Sequence, residues 1–99
     1  MSPKPLRIRF EAQEEINSAF DWYLQRNPRA ADAFLVEIGA SLAQIVSNPQ
    51  LYPQYTKNTR RRVLERFPYS VIFQEKDDFI LVLAIAHAKR RFDYWRGRV

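Results

Sequence analysis

Leu6, Ile8 and Phe10 alternate with Arg7, Arg9 and Glu11 in "LRIRFE", the period of a strand with one side on a core and the other in water. From Ala12 to Gln25 the spacing changes, and Ile16, Ala19, Phe20, Tyr23 and Leu24 fall on one face of a helix. A second stripe runs through Ala31, Phe34, Leu35, Ile38, Leu42, Ile45 and Val46. Between the two, the Asn27 side chain is placed to cap the second helix, and Pro28 takes the first helical position, where a missing N–H costs nothing. Asn48 and Pro49 end it. So short a turn between helices predicts an antiparallel helical hairpin.

The second half changes period again. "LYPQYTKN" reads as a loop from its proline and polar content, and "RRRVLERF" as a basic strand with Val63 and Leu64 inside. Pro68 separates that strand from "YSVIFQE", in which Val71 and Phe73 alternate with Ser70 and Gln74 while Ile72 is apolar as well. "KDD" at 76–78 is a tight-turn signal, and "FILVLAIAH" is apolar on both faces, as a central strand requires. The expectation is an α+β fold in the order β-α-α-β-β-β: an N-terminal strand and a helical hairpin packed on a small, mainly antiparallel sheet. A basic aromatic tail, "HAKRRFDYWRGRV", follows the last strand.

Composition narrows what such a fold can do. At 99 residues the chain is expected to form one domain over residues 1–99, and 46% hydrophobic residues suffice for one modest core. There is no cysteine and a single histidine, which removes thiolate metal sites and cysteine nucleophiles and makes a transition-metal centre improbable. Prolines and bases in "MSPKPLRIRF" stand where a secretory peptide needs an apolar stretch, and no run is expected to reach the length of a membrane span, so a soluble, cytoplasmic protein is predicted. The net charge of +5 is uneven: residues 1–50 carry five bases and six acids, residues 51–99 eleven and five. The C-terminal half should therefore attract a polyanion or an acidic partner.

One histidine and no G-x-S-x-G turn argue against a nucleophilic triad. Asp77 and Asp78 sit in a turn, where acids are ordinarily solvated, and two glycines cannot build a phosphate loop. Metal-free RNA cleavage needs a general base, a cation for the phosphate and a proton for the leaving oxygen. His87, Lys89, Arg90, Arg91 and Tyr94 supply those types, with Arg60, Arg61, Arg62 and Arg66 within reach on a neighbouring strand. The same residues could instead grip a phosphate backbone or an acidic protein surface, with Tyr94 and Trp95 as anchors. Plainer roles compete: His87 bonding a backbone carbonyl at the sheet edge, Trp95 packing back on the core, Tyr69 supporting structure.

The motifs "WYLQRNPRAADAF", "NPQLYP", "RRVLERFPYSVIF" and "ILVLAIAHAKRRFDYW" together resemble the RelE/ParE superfamily of bacterial type II toxins across nearly the whole chain. The resemblance implies a small toxin encoded beside a dedicated antitoxin that lies across it and inhibits it, with no cofactor, no metal and no membrane partner. Two branches share the fold: ribosome-dependent mRNA endonucleases and ParE-like poisons of DNA gyrase. The nuclease branch usually carries an Arg directly after the Tyr of the middle strand, where this chain has Ser70. The form "HAKRRFDYW" resembles the ParE-like branch, which is the one expected. On that reading Arg61, Arg62, Arg90, Arg91, Tyr94 and Trp95 bind the target, DNA gyrase. On the nuclease reading His87, Tyr94, Arg61, Arg62, Arg90 and Arg91 act on ribosome-bound mRNA, and a third possibility is a basic binding module without toxicity. The antitoxin is expected to present an acidic and apolar segment to the basic face.

Overall fold

The computed structural model describes residues 3–99, with Met1 and Ser2 outside the described residues. Strand β1 (Leu6–Ile8) leads into helix α1 (Phe10–Arg26) and helix α2 (Pro28–Ser47), and a short turn of helix at Pro49–Leu51 follows. Four strands complete the sheet: β2 (Gln54–Thr56), β3 (Thr59–Val63), β4 (Tyr69–Glu75) and β5 (Ile80–His87). They lie in the order β1-β5-β4-β3-β2. β1 runs parallel to β5 and every other pairing is antiparallel. The expected α+β architecture is the one observed, with one strand more than the sequence pattern indicates.

That extra strand is β2, in the stretch read as a loop. Its backbone pairs with β3 through Gln54↔Arg60 and Thr56↔Thr59, and the Thr56 and Thr59 hydroxyls lie 2.7 Å apart. A proline just before a three-residue strand is tolerated because β2 is an edge, where missing donors cost little. Phe10 is the second correction. The strand stops at Ile8 because Arg9 turns into the helix N-cap while its N–H still reaches Val82 O at 3.0 Å. Phe10 therefore opens α1 and is 75% exposed rather than inside. Val63 is a third: it is 54% exposed, and only Leu64 of that pair is buried.

The helix turn behaves as its sequence indicates. Asn27 Oδ1 accepts from the N–H groups of Arg29 and Ala30 at 3.2 and 3.4 Å, capping α2 with Pro28 at its start. The hairpin lays Ala12, Ile16, Ala19, Phe34, Ile38 and Ile45 on Val71, Phe73, Ile80, Val82 and Ile85, forming the main core on one face of the sheet. Tyr23, Phe34, Phe67 and Tyr69 close one end of this core, with ring centroids 5.2–5.7 Å apart. By length and composition alone α2 matches a membrane-crossing helix, against the expectation that no run does; core helices of water-soluble folds share that composition.

Among the described residues the opposite face of the sheet has no α-helix on it. It is covered by the chain's own end, where Trp95, 3% exposed, packs on Ile72, Leu83 and Ala84 with Tyr55 and Tyr94 beside it. The covering is partial, and the uncovered part is the candidate site.

Candidate functional site

Side chains on β3 alternate between the two faces, so three consecutive arginines cannot act together. Arg60 and Arg62 pair with Phe73 and Val71, both in the core under the helices, whereas Arg61 pairs with Ile72 on the opposite face. Arg60 donates to Tyr52 O at 2.7 Å, and the Arg62 guanidinium lies 5.5 Å from the Tyr52 ring centre. Arg61 instead borders a groove of about 390 Å³ whose floor includes Ser70, Ile72 and Ala86 and whose far wall is Arg90, Arg91, Phe92 and Tyr94.

The groove is shaped by stacked cations. The Arg61 guanidinium carbon stands 4.2 Å from the centre of the Tyr55 ring, and that of Arg90 stands 3.9 Å from the centre of the Tyr94 ring. Such contacts hold a guanidinium over a ring face and leave its in-plane N–H groups free to donate. Among the described residues the side chains of Arg61, Arg90 and Arg91 have no acid within ion-pair distance. The nearby Asp93 is engaged with Arg96 at 2.7 Å and holds a left-handed backbone, φ 60°, which aspartate tolerates better than most residues. The groove thus carries an unbalanced positive charge.

Behind it lies an acid that anchors the tail. β1 pairs with only Ile80–Val82 of β5, so the rest of that β5 edge lacks a strand. Glu15 of α1 and Arg98 of the tail take the place of one: Glu15 Oε1 accepts from Ile85 N–H at 3.0 Å, and Arg98 Nη1 donates to Leu83 O at 3.0 Å. Arg98 also donates to both Glu15 oxygens, at 2.9 and 3.1 Å, and the Tyr94 hydroxyl donates to Oε2 at 2.7 Å. Burial first, and then the bond to Glu15, push the Tyr94 phenol well above its ordinary value of 10.0. Its proton is held in place and is a poor candidate for transfer.

A protein-family model described as the ParE toxin of the type II toxin–antitoxin system, parDE, matches residues 6–92. The chain belongs to the ParE toxin family. Among solved structures, the chromosomal ParDE toxin–antitoxin system from P. aeruginosa superposes with a TM-score of 0.75 at 22% identity, covering 85% of this chain and 95% of that one. The RelBE2 toxin–antitoxin complex from Mycobacterium tuberculosis gives 0.57 at 16% identity over 87% of this chain and 99% of that one. The YoeB dimer from Staphylococcus aureus gives 0.56 at 12% identity over 87% and 98%. At these identities the likeness is one of fold. No curated protein matches the chain.

On this ParE-family chain, Arg61, Arg90, Arg91 and the Tyr94 ring meet at the groove, together with Ser70. Arg62 does not, because its position in β3 turns it toward the helices. His87 borders the groove and the α1 side of the sheet alike: its ring meets Tyr69 edge to face at 4.9 Å, and its Nδ1 accepts from Lys89 N–H at 3.0 Å. It therefore bonds a backbone N–H and not a carbonyl. Trp95 contributes a wall from beneath and is too buried to serve as a contact anchor. The residue that sequence reasoning missed is Glu15. It had a signal: Ala12, Glu15, Ile16, Ala19 and Tyr23 form one helical stripe, and an acid on a buried stripe must find donors.

Proposed function

We propose that this toxin arrests growth without catalysis, by docking the groove between β3 and the C-terminal tail on an essential protein target in the cytoplasm, DNA gyrase. The observation that carries the reading is the composition of the groove: Arg61, Arg90 and Arg91 border it with one acid, Asp93, already paired with Arg96, and the Tyr94 hydroxyl and His87 ring are engaged elsewhere. Tyr94 commits its hydroxyl to Glu15 at 2.7 Å, and His87, the one imidazole at the groove's border, packs its ring on Tyr69 and accepts from Lys89 N–H through Nδ1. RNA cleavage needs a base and an acid beside the phosphate, whereas docking needs charge, apolar rims and shape. Exposed Val63 and Phe92 supply the apolar rim. The partner that silences the toxin is an antitoxin encoded beside it, whose acidic and apolar segment covers the same charge; the ParDE and RelBE2 relatives, both toxin–antitoxin systems by name, support this part of the reading.

The test is a gyrase supercoiling assay with purified toxin, run beside primer extension on message in a translation extract. Inhibited supercoiling without new stops on the message is the expected result. Intact supercoiling at saturating toxin removes gyrase as the target, and toxin-dependent stops would restore the nuclease reading.

A further inference from the structure

We propose that Arg61 and Arg90 form a two-pronged clamp for carboxylates, so that the groove takes a protein segment bearing acids beside an apolar side chain and does not take a nucleic acid strand. The inference rests on the reading of the groove as a docking site and specifies the chemistry of what docks. Both guanidiniums are stacked on tyrosine rings, at 4.2 and 3.9 Å, and both rings are themselves held. Tyr55 meets Phe92 edge to face at 5.4 Å and lies 6.2 Å from Trp95, while Tyr94 is tied to Glu15. A planar fork fixed in this way loses little freedom on binding and presents two parallel donors, the geometry that a carboxylate accepts with both oxygens.

The choice between a carboxylate and a phosphate strand follows from what the aromatic faces are doing. Proteins that hold single strands offer open aromatic faces on which bases stack, beside a track of cations. Here one face each of Tyr55 and Tyr94 is already taken by an arginine, and Trp95 is buried. Of the aromatic residues at the groove, Phe92 is the one that stays largely open, 56% exposed, with Val63 across from it at 54%. An apolar side chain between them and acids reaching the two arginines would satisfy the stacked cations and the apolar rim together, and the Ser70 hydroxyl on the floor can bond a backbone amide of the same segment. A base would find one ring and no second.

The experiment uses the full chain and a fluorescein-labelled synthetic peptide of alternating glutamate and leucine, read by anisotropy. A glutamine–leucine peptide and a labelled single-stranded RNA serve as competing ligands. Arg61→Lys and Arg90→Lys keep the charge but lose the fork and the flat stack. Each is expected to weaken the acidic peptide about tenfold, the scale of one charge-assisted hydrogen bond, while Arg62→Lys on the other face leaves it unchanged. The glutamine peptide and the RNA should bind more weakly than the acidic peptide. No preference for the acidic peptide, equal binding by the two lysine variants and wild type, or tighter RNA binding through the same arginines would each overturn the clamp. A chain that clamps the peptide yet leaves gyrase supercoiling intact would retire the target and keep the clamp; one that inhibits gyrase equally well as wild type and as both lysine variants, with no peptide preference, would do the reverse.

Discussion

Replacing Glu15 with alanine removes one carboxylate and strands three donors in separate parts of the chain. Arg98 loses both its partners on Glu15, at 2.9 and 3.1 Å, Ile85 N–H loses its acceptor at 3.0 Å, and the Tyr94 hydroxyl loses its own at 2.7 Å. Removing one partner of a fully buried ion pair costs about 3–5 kcal/mol. The side chains of Glu15 and Arg98 are each 16% exposed, so water screens part of the orphaned charge and the low end, about 3 kcal/mol, is the reasoned figure. For a domain of this size that corresponds to a drop in Tm of about 12 °C or more. Glu15→Gln keeps the shape and one acceptor oxygen but loses the charge, and should cost about half as much. The assay is urea unfolding followed by circular dichroism and by tryptophan emission in a Trp22→Phe background, where Trp95 is the one remaining indole. Trp95 emission should shift to the red in the alanine variant before the sheet signal is lost, because the tail is what Glu15 holds. A loss under about 1 kcal/mol with unchanged Trp95 emission would rule out Glu15 as the tail's anchor, since Arg98 and Tyr94 would then have found equal partners elsewhere.

Three further outcomes follow from local geometry. Asn27→Ala removes the two bonds that cap α2 and should lower stability by about 1 kcal/mol in denaturant titration; an unchanged midpoint would mean that Pro28 alone sets the helix start. Trp95→Ala empties the packing over Ile72, Leu83 and Ala84 and should cost about 3–5 kcal/mol, with near-ultraviolet dichroism as the check. The raised Tyr94 pKa means that the unfolded chain gives up this proton first. Its contribution to stability is whole below the ordinary value of 10.0 and falls as pH rises toward the folded value. Tyr94→Phe should flatten that fall without abolishing it, because burial raises Tyr23 and Tyr69 too; a slope identical to wild type would show that the Tyr94 phenol titrates freely.

The architecture was legible because its signals are local. The helical stripes, the Asn27-Pro28 start and the apolar run of β5 each act within a few residues, and the α2 start and β5 appear where the pattern puts them. What failed lay at edges. Period two carried the first strand through Phe10, but a backbone turn at Arg9 intervened. The β2 strand has almost no apolar pattern of its own and exists because β3 offers it a backbone to pair with. At the site, alternation along the strand says that Arg61 and Arg62 take opposite faces, but which of them faces the groove is fixed only by the pairing of β3 with β4. Glu15 and Arg98 are a different case: an 83-residue separation hides a partnership that the buried stripe of α1 nonetheless requires one end of.

The fold and the groove share one cause, the shortness of β1. Because three residues of β1 cover only Ile80–Val82, the far part of the β5 edge needs side chains to satisfy its backbone, and Glu15 and Arg98 do so. Fixing Arg98 there draws the tail across the sheet face that the helices leave bare, and this sets Trp95 against Ile72 and Leu83. Once Trp95 is seated, Tyr94 is held with its hydroxyl on Glu15 and its ring under Arg90, directly across the groove from Arg61 on Tyr55. A longer first strand would satisfy the β5 edge by itself and leave the tail unanchored. Docking chemistry on this scaffold therefore depends on an incomplete sheet, and changes at Glu15 should reach the groove even though Glu15 does not line it.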